Sequence, residues 1–158
     1  MATTKMKKTY SARPVDLNPQ WHVFDASETP LGRLASEISQ LLQGKHRPLY
    51  TPTMNTGDFV VVVNAANVKV TGRKLAQKEY HFHSRYPGGL RTFTLEQMLQ
   101  RNPNRVIEKA VQGMLPKTTL GRQMLKRLKV YPGPDHPHHA QVAASAPKPR
   151  EEREAQTS

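Results

Sequence analysis

The sequence of 158 residues has no cysteine, few acidic residues and few aromatic ones, and each shortage excludes a class of protein. Without cysteine there is no disulfide framework, no thiolate zinc site and no cysteine nucleophile. An aromatic content of 6% is low for a platform that stacks exposed bases. Only 12 Asp and Glu accompany 24 Lys and Arg. The sparse carboxylates argue against extensive acid–base chemistry.

Long apolar runs are also absent. The longest strongly apolar run, 59–63, is far shorter than the roughly 20 residues that span a bilayer. No apolar signal-peptide segment follows the basic start of the chain. That start faintly resembles an organelle transit peptide, but we interpret it as a disordered basic arm. We therefore expect no membrane partner.

A formal net charge of +12 is the strongest global feature that is present. Such an excess of one sign repels itself and raises the free energy of a compact fold. Between residues 81 and 131 there are ten Lys and Arg but only two acids, Glu96 and Glu108. Lysine and arginine neutralise phosphates and release counterions. The composition therefore favours a polyanionic partner, and nucleic acid above others.

The hydrophobic spacing predicts strands that alternate with helices, and hence an α/β fold. The β-branched run 59–63 is typical of a strand covered on both faces, as in a parallel sheet. Thr29 is predicted to cap the first helix, with Pro30 at its first position. The predicted strands are 21–26, 59–63, a short one within 68–74, 79–84 and a short one before Tyr131, and the predicted helices are 31–43, 73–78, 92–100, 102–115 and one beginning near 118.

We divide the chain into three parts. Residues 1–20 lack periodicity and are expected to form an extended basic arm. Residues 21–140 are expected to form one α/β domain. Residues 141–158 have almost nothing to bury, so a disordered tail is expected there.

Two histidine groups suggest a metal site as one alternative. His81 and His83 share one face of a predicted strand with Glu79, and His136, His138 and His139 lie together near the end of the domain. Imidazole sites usually recruit a carboxylate or cysteine as well. Both groups lie among arginines and lysines, which disfavour a cation. We expect neither a metal nor any other cofactor.

A phosphate-handling enzyme is the second alternative. The segments "TGRK" (71–74) and "PGGLR" (87–91) combine glycine with basic residues, so their backbone N–H groups could approach phosphate oxygens. The Walker pattern and the dinucleotide-binding glycine pattern are both missing. The serine elbow of hydrolases is missing too. Turn formation explains these glycines equally well, and this alternative remains open on residue chemistry alone.

Several segments together resemble one known family. The motifs "GRLAS" (32–36), "TGRK", "GMLP" (113–116), "LGR" (120–122) and "LKVY" (128–131) occur in that order, with "HPHHAQ" at 136–141. Each motif alone is uninformative, but their joint occurrence over about residues 20–141 is similar to the bacterial type of ribosomal large-subunit protein thirteen. The two tails lie outside the resemblance.

The resemblance implies a three-layer α/β/α domain around a mainly parallel sheet, with no catalytic residue. It implies a monomer within the cytoplasmic ribosome, where large-subunit rRNA and neighbouring ribosomal proteins are the partners. An organellar ribosome is the less favoured setting, and no small-molecule substrate is expected. It also implies early assembly onto the rRNA. The RNA contacts carried over to this sequence are Lys45, His46, Arg47, Arg73, Lys74, His81, His83, Arg85, Tyr86, Gly88, Gly89, Arg91, Lys117, Arg122, Lys126, Arg127, Lys129, His136 and His138.

One residue departs from the family's pattern. The family often has glycine two residues after the second strand histidine, where this sequence has Arg85. If glycine supplies a positive φ there, the loop of this chain must bend differently. If it does not, Arg85 adds a phosphate contact, and this second interpretation is preferred.

Overall fold

The valine run forms the central strand of a parallel sheet. In the computed structural model, which describes residues 10–145, strand β2 (Phe59–Val63) lies between β1 (Trp21–Asp25) and β5 (Leu128–Val130). Both neighbours run parallel to β2. Val60, Val61 and Val62 are fully buried. The predicted covered strand and the predominantly parallel sheet are thereby confirmed.

Six α-helices, two short 3-10 helices (Pro14–Asp16 and Ala65–Asn67) and a separate hairpin complete the described part of the chain. The hairpin pairs β3 (Glu79–His83) with β4 (Leu90–Thr94) in antiparallel fashion. The helices are α1 (Leu31–Gln43), α2 (Lys74–Gln77), α3 (Leu95–Arg101), α4 (Pro103–Met114), α5 (Thr119–Lys126) and α6 (His139–Ser145). Within residues 10–145, none of these helices has the length and apolar character needed to cross a membrane.

Helices α1 and α4 pack together over one face of the parallel sheet and bury the main core. Leu34 and Ile38 of α1 and Ile107 and Val111 of α4 are at most 1% exposed and belong to the same apolar cluster. Their three- and four-residue spacing is the pattern from which the helices were predicted. Both helices are therefore amphipathic elements that need the sheet beneath them.

The beginning of α1 differs from the prediction. Pro30 and not Thr29 is the N-cap residue, and the Thr29 hydroxyl has no hydrogen-bond partner among the described residues. The free N–H of Leu31 donates to the carbonyl of Lys69 at 3.0 Å, so a neighbouring segment replaces the expected cap. That segment pairs with Pro30 through one isolated bridge, and the short strand predicted within 68–74 is therefore wrong.

The hairpin also corrects the prediction for residues 92–94. They were assigned to a helix beginning at 92, but they belong to strand β4, and α3 begins at Leu95. Thr94 caps α3 in a capping box with Gln97. Thr92 and Phe93 are good strand formers. Their pairing with β3 outweighs the helical pattern that follows.

The second face of the sheet is covered less completely. Trp21 stacks on Phe59 with ring centroids 4.5 Å apart, and His138, beside α6, packs on Trp21 at 5.0 Å. Val23, two residues after Trp21 in β1, remains 42% exposed. Helical structure on both faces agrees with the expected layered α/β arrangement. Because α6 continues to Ser145, the prediction that disorder begins at 141 is wrong for residues 141–145.

The N-terminal arm is only partly extended where it is described. A short 3-10 helix covers Pro14–Asp16, and Ala12 is buried. The predicted arm over residues 1–9 and the predicted tail over 146–158 lie outside the described residues.

Candidate nucleic-acid interface

Strand β3 directs His81 and His83 to one exposed face of the hairpin. His81 Nδ1 lies 3.1 Å from the Thr92 hydroxyl across the strand pair. His83 Nδ1 accepts a hydrogen bond from the Arg85 N–H at 2.9 Å. In the neutral ring the hydrogen of His83 is therefore on Nε2, which is free to donate outward. This face can donate hydrogen bonds to phosphate or ribose oxygens.

The tight loop after β3 holds Arg85 in the left-handed conformation, with φ of 70°. The loop thus keeps a positive φ without glycine, and the assumption behind the preferred interpretation of Arg85, that no positive φ is needed, is wrong. Gly88 also has a positive φ, and a Cβ on Gly89 would lie 1.9 Å from the Ser84 hydroxyl. The side chain of Tyr86 is 75% exposed at the loop tip.

The loop after α1 uses two of its three predicted contacts internally. Asp58 is fully buried, and its carboxylate lies 2.5 Å from the Arg47 guanidinium and 2.9 Å from His46 Nε2. It also accepts from the Gln20 N–H at 2.9 Å and approaches His22 Nε2 at 3.0 Å. Arg47 Nε lies 3.2 Å from His46 Nε2. His46 Nε2 cannot donate to Asp58 and accept from Arg47 Nε at the same time. Because a carboxylate is the stronger acceptor, we assign the hydrogen bond of His46 to Asp58.

Arg127 is likewise directed into the protein. Its guanidinium donates to the carbonyl of Gly57, lies 3.4 Å from the carbonyl of Asn55, and sits 5.2 Å from the Phe59 ring centroid. Burial lowers the pKa of Arg127, while the charge of Asp58 raises it. Arg127 therefore fastens the 55–59 segment to the end of α5. Because these internal contacts occupy its guanidinium, fewer of its N–H donors are free for an RNA contact.

Most of the remaining predicted cations are exposed. Arg122 and Lys126 are four residues apart on the outer face of α5, whose buried side carries Gly121 and Met124. Lys129 on β5 is partly buried. The exposed set consists of Lys45, Arg73, Lys74, Arg91, Lys117, Arg122 and Lys126.

The second histidine group packs against aromatic rings. His138 Nε2 lies 3.0 Å from the Tyr131 hydroxyl. His136 Nδ1 accepts from the His138 N–H at 3.2 Å, and its ring stacks on His139 at 4.1 Å. Desolvation lowers the pKa of His136, and the neighbouring His139 and His138 lower it further. His138 therefore anchors the segment before α6 on the sheet.

In the described part of the chain, the acids and histidines form no group that could bind a metal ion. Within residues 10–145 no group of three or more His, Asp or Glu side chains could hold a metal ion. Asp25 accepts from the backbone N–H and hydroxyl of Ser27 at 2.8 and 2.7 Å and from the Asn64 amide at 2.8 Å. These bonds lower the pKa of Asp25. Asp25 ends β1 and Asp58 directly precedes β2, and both carboxylates organise loops.

The strand register separates Arg91 from His81 and His83, all three of which the resemblance places among the RNA contacts. Phe82 pairs with Arg91, whereas His81 pairs with Thr92 and His83 with Leu90. Directly paired side chains share a face of the sheet. Arg91 therefore lies on the face opposite His81 and His83, and the hairpin carries basic groups on both faces.

The sequence analysis missed a role for Arg101 and Arg105. Arginines on the outer surface of a helix usually serve as solubilising charges, yet each of these guanidinium groups lies over an aromatic ring of the hairpin. The signal available was the pair of arginines four residues apart together with the phenylalanines of 79–94. Only the packing of α3 and α4 on the hairpin brings the two patterns together.

Comparison with known proteins identifies the family. The profile of "Ribosomal protein L13" matches residues 19–137. "Large ribosomal subunit protein uL13" of Thermobifida fusca is 57% identical over 134 residues, 85% of this chain and 90% of its own length. The protein of the same name from Aquifex aeolicus is 56% identical, over 85% and 93% of the two chains, and that from Symbiobacterium thermophilum is 51% identical, over 92% and 99%. The chain therefore belongs to the ribosomal protein L13 family and is a structural protein of the ribosome, not an enzyme.

Proposed function

We propose that this chain, as a structural component of the large ribosomal subunit, binds large-subunit rRNA directly and supports early subunit assembly. It acts as a monomer in cytoplasmic ribosomes, beside other large-subunit proteins. The interface consists of the exposed cations of the hairpin, of α5 and of the loops at 45 and 72–74. The domain between residues 21 and 140 carries it.

The observation that carries this proposal is the surplus of uncompensated cations on a folded domain. The net charge is +12, and among the described residues the structure places only two Arg–Asp ion pairs, Arg13 with Asp16 and Arg47 with Asp58, beside three contacts between a histidine and a carboxylate. Exposed basic groups thus remain in excess on loops and helix surfaces. A folded RNA would neutralise them and release counterions.

Charge reversal tests the interface. We expect Arg91→Glu and Lys126→Glu to weaken binding to large-subunit rRNA and to lower incorporation into subunits, because each replaces an exposed cation with an anion that repels phosphate. Filter binding at several salt concentrations measures affinity, and sucrose-gradient sedimentation of a tagged copy measures incorporation.

Arg33→Glu on the exposed surface of α1 is the matched control, since it makes the same charge change outside the proposed interface. Its melting temperature and those of the test variants should stay near wild type. If both test variants assemble as well as the control at low magnesium, the proposed interface is wrong.

A further inference from the structure

Arg101 and Arg105 lie against the aromatic face of the hairpin. The Arg101 guanidinium carbon is 4.9 Å from the centroid of Phe93, and that of Arg105 is 5.3 Å from the centroid of Phe82. The two rings meet edge to face at 5.8 Å. Together with Met98 and Asn102, these four side chains line an open groove of about 430 Å³. We call it the arginine groove.

Nothing in the described structure neutralises the arginine groove. Among residues 10–145 no carboxylate lies within 4.0 Å of either guanidinium, and neither group makes a hydrogen bond to a described residue. Arg91 adds a third cation on this face of the hairpin, since it pairs with Phe82 in the register. The groove therefore holds positive charge with no carboxylate of the described residues in ion-pair range.

The contact with the rings indicates which ligand chemistry fits. Each guanidinium carbon lies within cation–π range of a ring, and such a contact leaves the fork of N–H donors and the opposite face of the guanidinium open to a ligand. The fork matches the two oxygens of a phosphate, and the open face can stack on an unpaired base. The volume lies within the range of about 300 to 1,000 Å³ that is usual for ligand pockets.

We infer that the arginine groove binds one unpaired RNA nucleotide, with its phosphate on the guanidinium forks of Arg101 and Arg105 and its base against an outer guanidinium face. The inference rests on the proposed function for the identity of the RNA. It assigns RNA contact to two residues that the family resemblance did not, beside the hairpin face that carries Arg91. An acidic segment of a neighbouring protein is the competing ligand.

Paired substitutions in the full-length protein test the contribution of the forks. We expect Arg101→Ala with Arg105→Ala to lower the affinity for large-subunit rRNA at least about tenfold, and to reduce the slope of log K against log salt by one to two. Arg101→Lys with Arg105→Lys keeps the charge but loses the fork, and should recover less than half of the lost log affinity. Full recovery by lysine, or no loss with alanine, would overturn the inference.

Photo-crosslinking identifies the ligand. Asn102 is exposed and lines the groove, so Asn102→p-benzoylphenylalanine places a crosslinker there. In assembled large subunits we expect an adduct to rRNA. An adduct only to protein supports the acidic competitor, and either that result or no adduct contradicts the inference.

Two controls keep the test decisive. Arg33→Ala removes one exposed charge elsewhere and should leave affinity within about threefold, because a distant exposed cation contributes only a weak, screened attraction. If a double variant has a lowered melting temperature, Arg101→Lys and Arg105→Lys are tested singly, and these results and the crosslink replace the double variant. If wild type binds rRNA and enters subunits while the groove variants match it, the inference fails and the proposed function stands. If wild type does not bind rRNA, both fail.

Discussion

At the scale of single residues, one buried carboxylate decides how several basic side chains are used. Asp58 is 0% exposed and faces His22, His46, Arg47 and the Gln20 N–H. A buried carboxylate is tolerated only when donors surround it. The segment "GKHR" looks like an RNA-binding loop in sequence, but the tertiary structure commits two of its side chains to Asp58. Lys45 alone in that segment remains fully available.

Removing Asp58 should destabilise the domain strongly. We expect Asp58→Ala to lower the free energy of unfolding by about 3 kcal/mol, because the half-buried Arg47 and the Gln20 N–H lose their partner. Urea denaturation at pH 7 measures this. Glu37→Ala, on the exposed side of α1, is the control and should change stability by less than about 0.5 kcal/mol. A similar small effect for Asp58→Ala would show that the cluster is not structural.

Asp25 should make the free energy of unfolding depend on pH in the acidic range. Its folded pKa is lowered by the donors from Ser27 and Asn64, so its contribution is complete above the unfolded pKa of about 3.9 and is lost as pH falls through the folded value. Asp25→Ala should cost about 1 kcal/mol at pH 7. The difference from wild type should shrink below about pH 4. Denaturant titrations at pH 7, 5 and 3.5 check the trend, and a constant difference would contradict it.

Arg85 combines a strained backbone with an exposed charge. Arg85→Gly should raise the free energy of unfolding by up to about 1 kcal/mol, because glycine adopts a φ of 70° without steric cost. If the side chain also contacts phosphate, the same variant should bind rRNA more weakly. Parallel measurements of melting and of rRNA affinity separate the two effects. Unchanged affinity would remove Arg85 from the proposed interface.

At the scale of elements, local patterns predicted most helices and strands, and pairing decided the exceptions. The periodicity of 31–43 and the valine run of 59–63 gave α1 and β2 with the right types. Strand β4 was missed because its pairing with β3 is not visible in the local pattern of 90–94. Helix α6 was missed because its support is the sheet, through the contact of His138 with Trp21.

Two helical glycines should respond oppositely to alanine. A Cβ on Gly121 of α5 would lie 1.8 Å from the Pro116 carbonyl oxygen, whereas a Cβ on Gly113 of α4 meets nothing within 4 Å. Alanine favours a helix interior by about 1 kcal/mol over glycine. Gly113→Ala, near the end of its helix, should therefore stabilise by about 0.5 kcal/mol. Gly121→Ala should destabilise by more than about 1 kcal/mol, because a backbone must move.

Thermal melting of the two glycine variants provides the comparison. Each serves as the control for the other, since the chemical change is identical. If Gly121→Ala melts at or above wild type, the turn between α4 and α5 is less tightly packed than the structure shows.

At the scale of the whole molecule, repulsion between like charges opposes the compact fold. The folded chain confines a net charge of +12 and pairs little of it internally. Membership of the ribosomal protein L13 family agrees with the proposed rRNA contact, which would supply the opposite charge. It also removes the phosphate-handling enzyme that residue chemistry alone had left open.

The isolated protein should become more stable as salt is added. Screening lengths fall from about 30 Å at 0.01 M salt to about 8 Å at 0.15 M, which weakens the repulsion between exposed cations. We expect the melting temperature to rise over this interval. Sodium chloride and sodium acetate at equal ionic strength should act alike. A fall in melting temperature would mean that ion pairs stabilise the fold more than repulsion between cations destabilises it.

The sequence by itself determined the α/β class, the central strand, the amphipathic helices and the preference for a polyanion, since these follow from local spacing and total charge. The family resemblance proposed a surface. Only the tertiary structure decided which of these cations are exposed. Arg47 and Arg127 look equivalent to Arg122 and Lys126 in sequence, but burial turns the first pair toward Asp58 and the carbonyl of Gly57. The hairpin register likewise divides Arg91 from His81 and His83. Burial and register depend on contacts between distant segments, and local composition does not contain them.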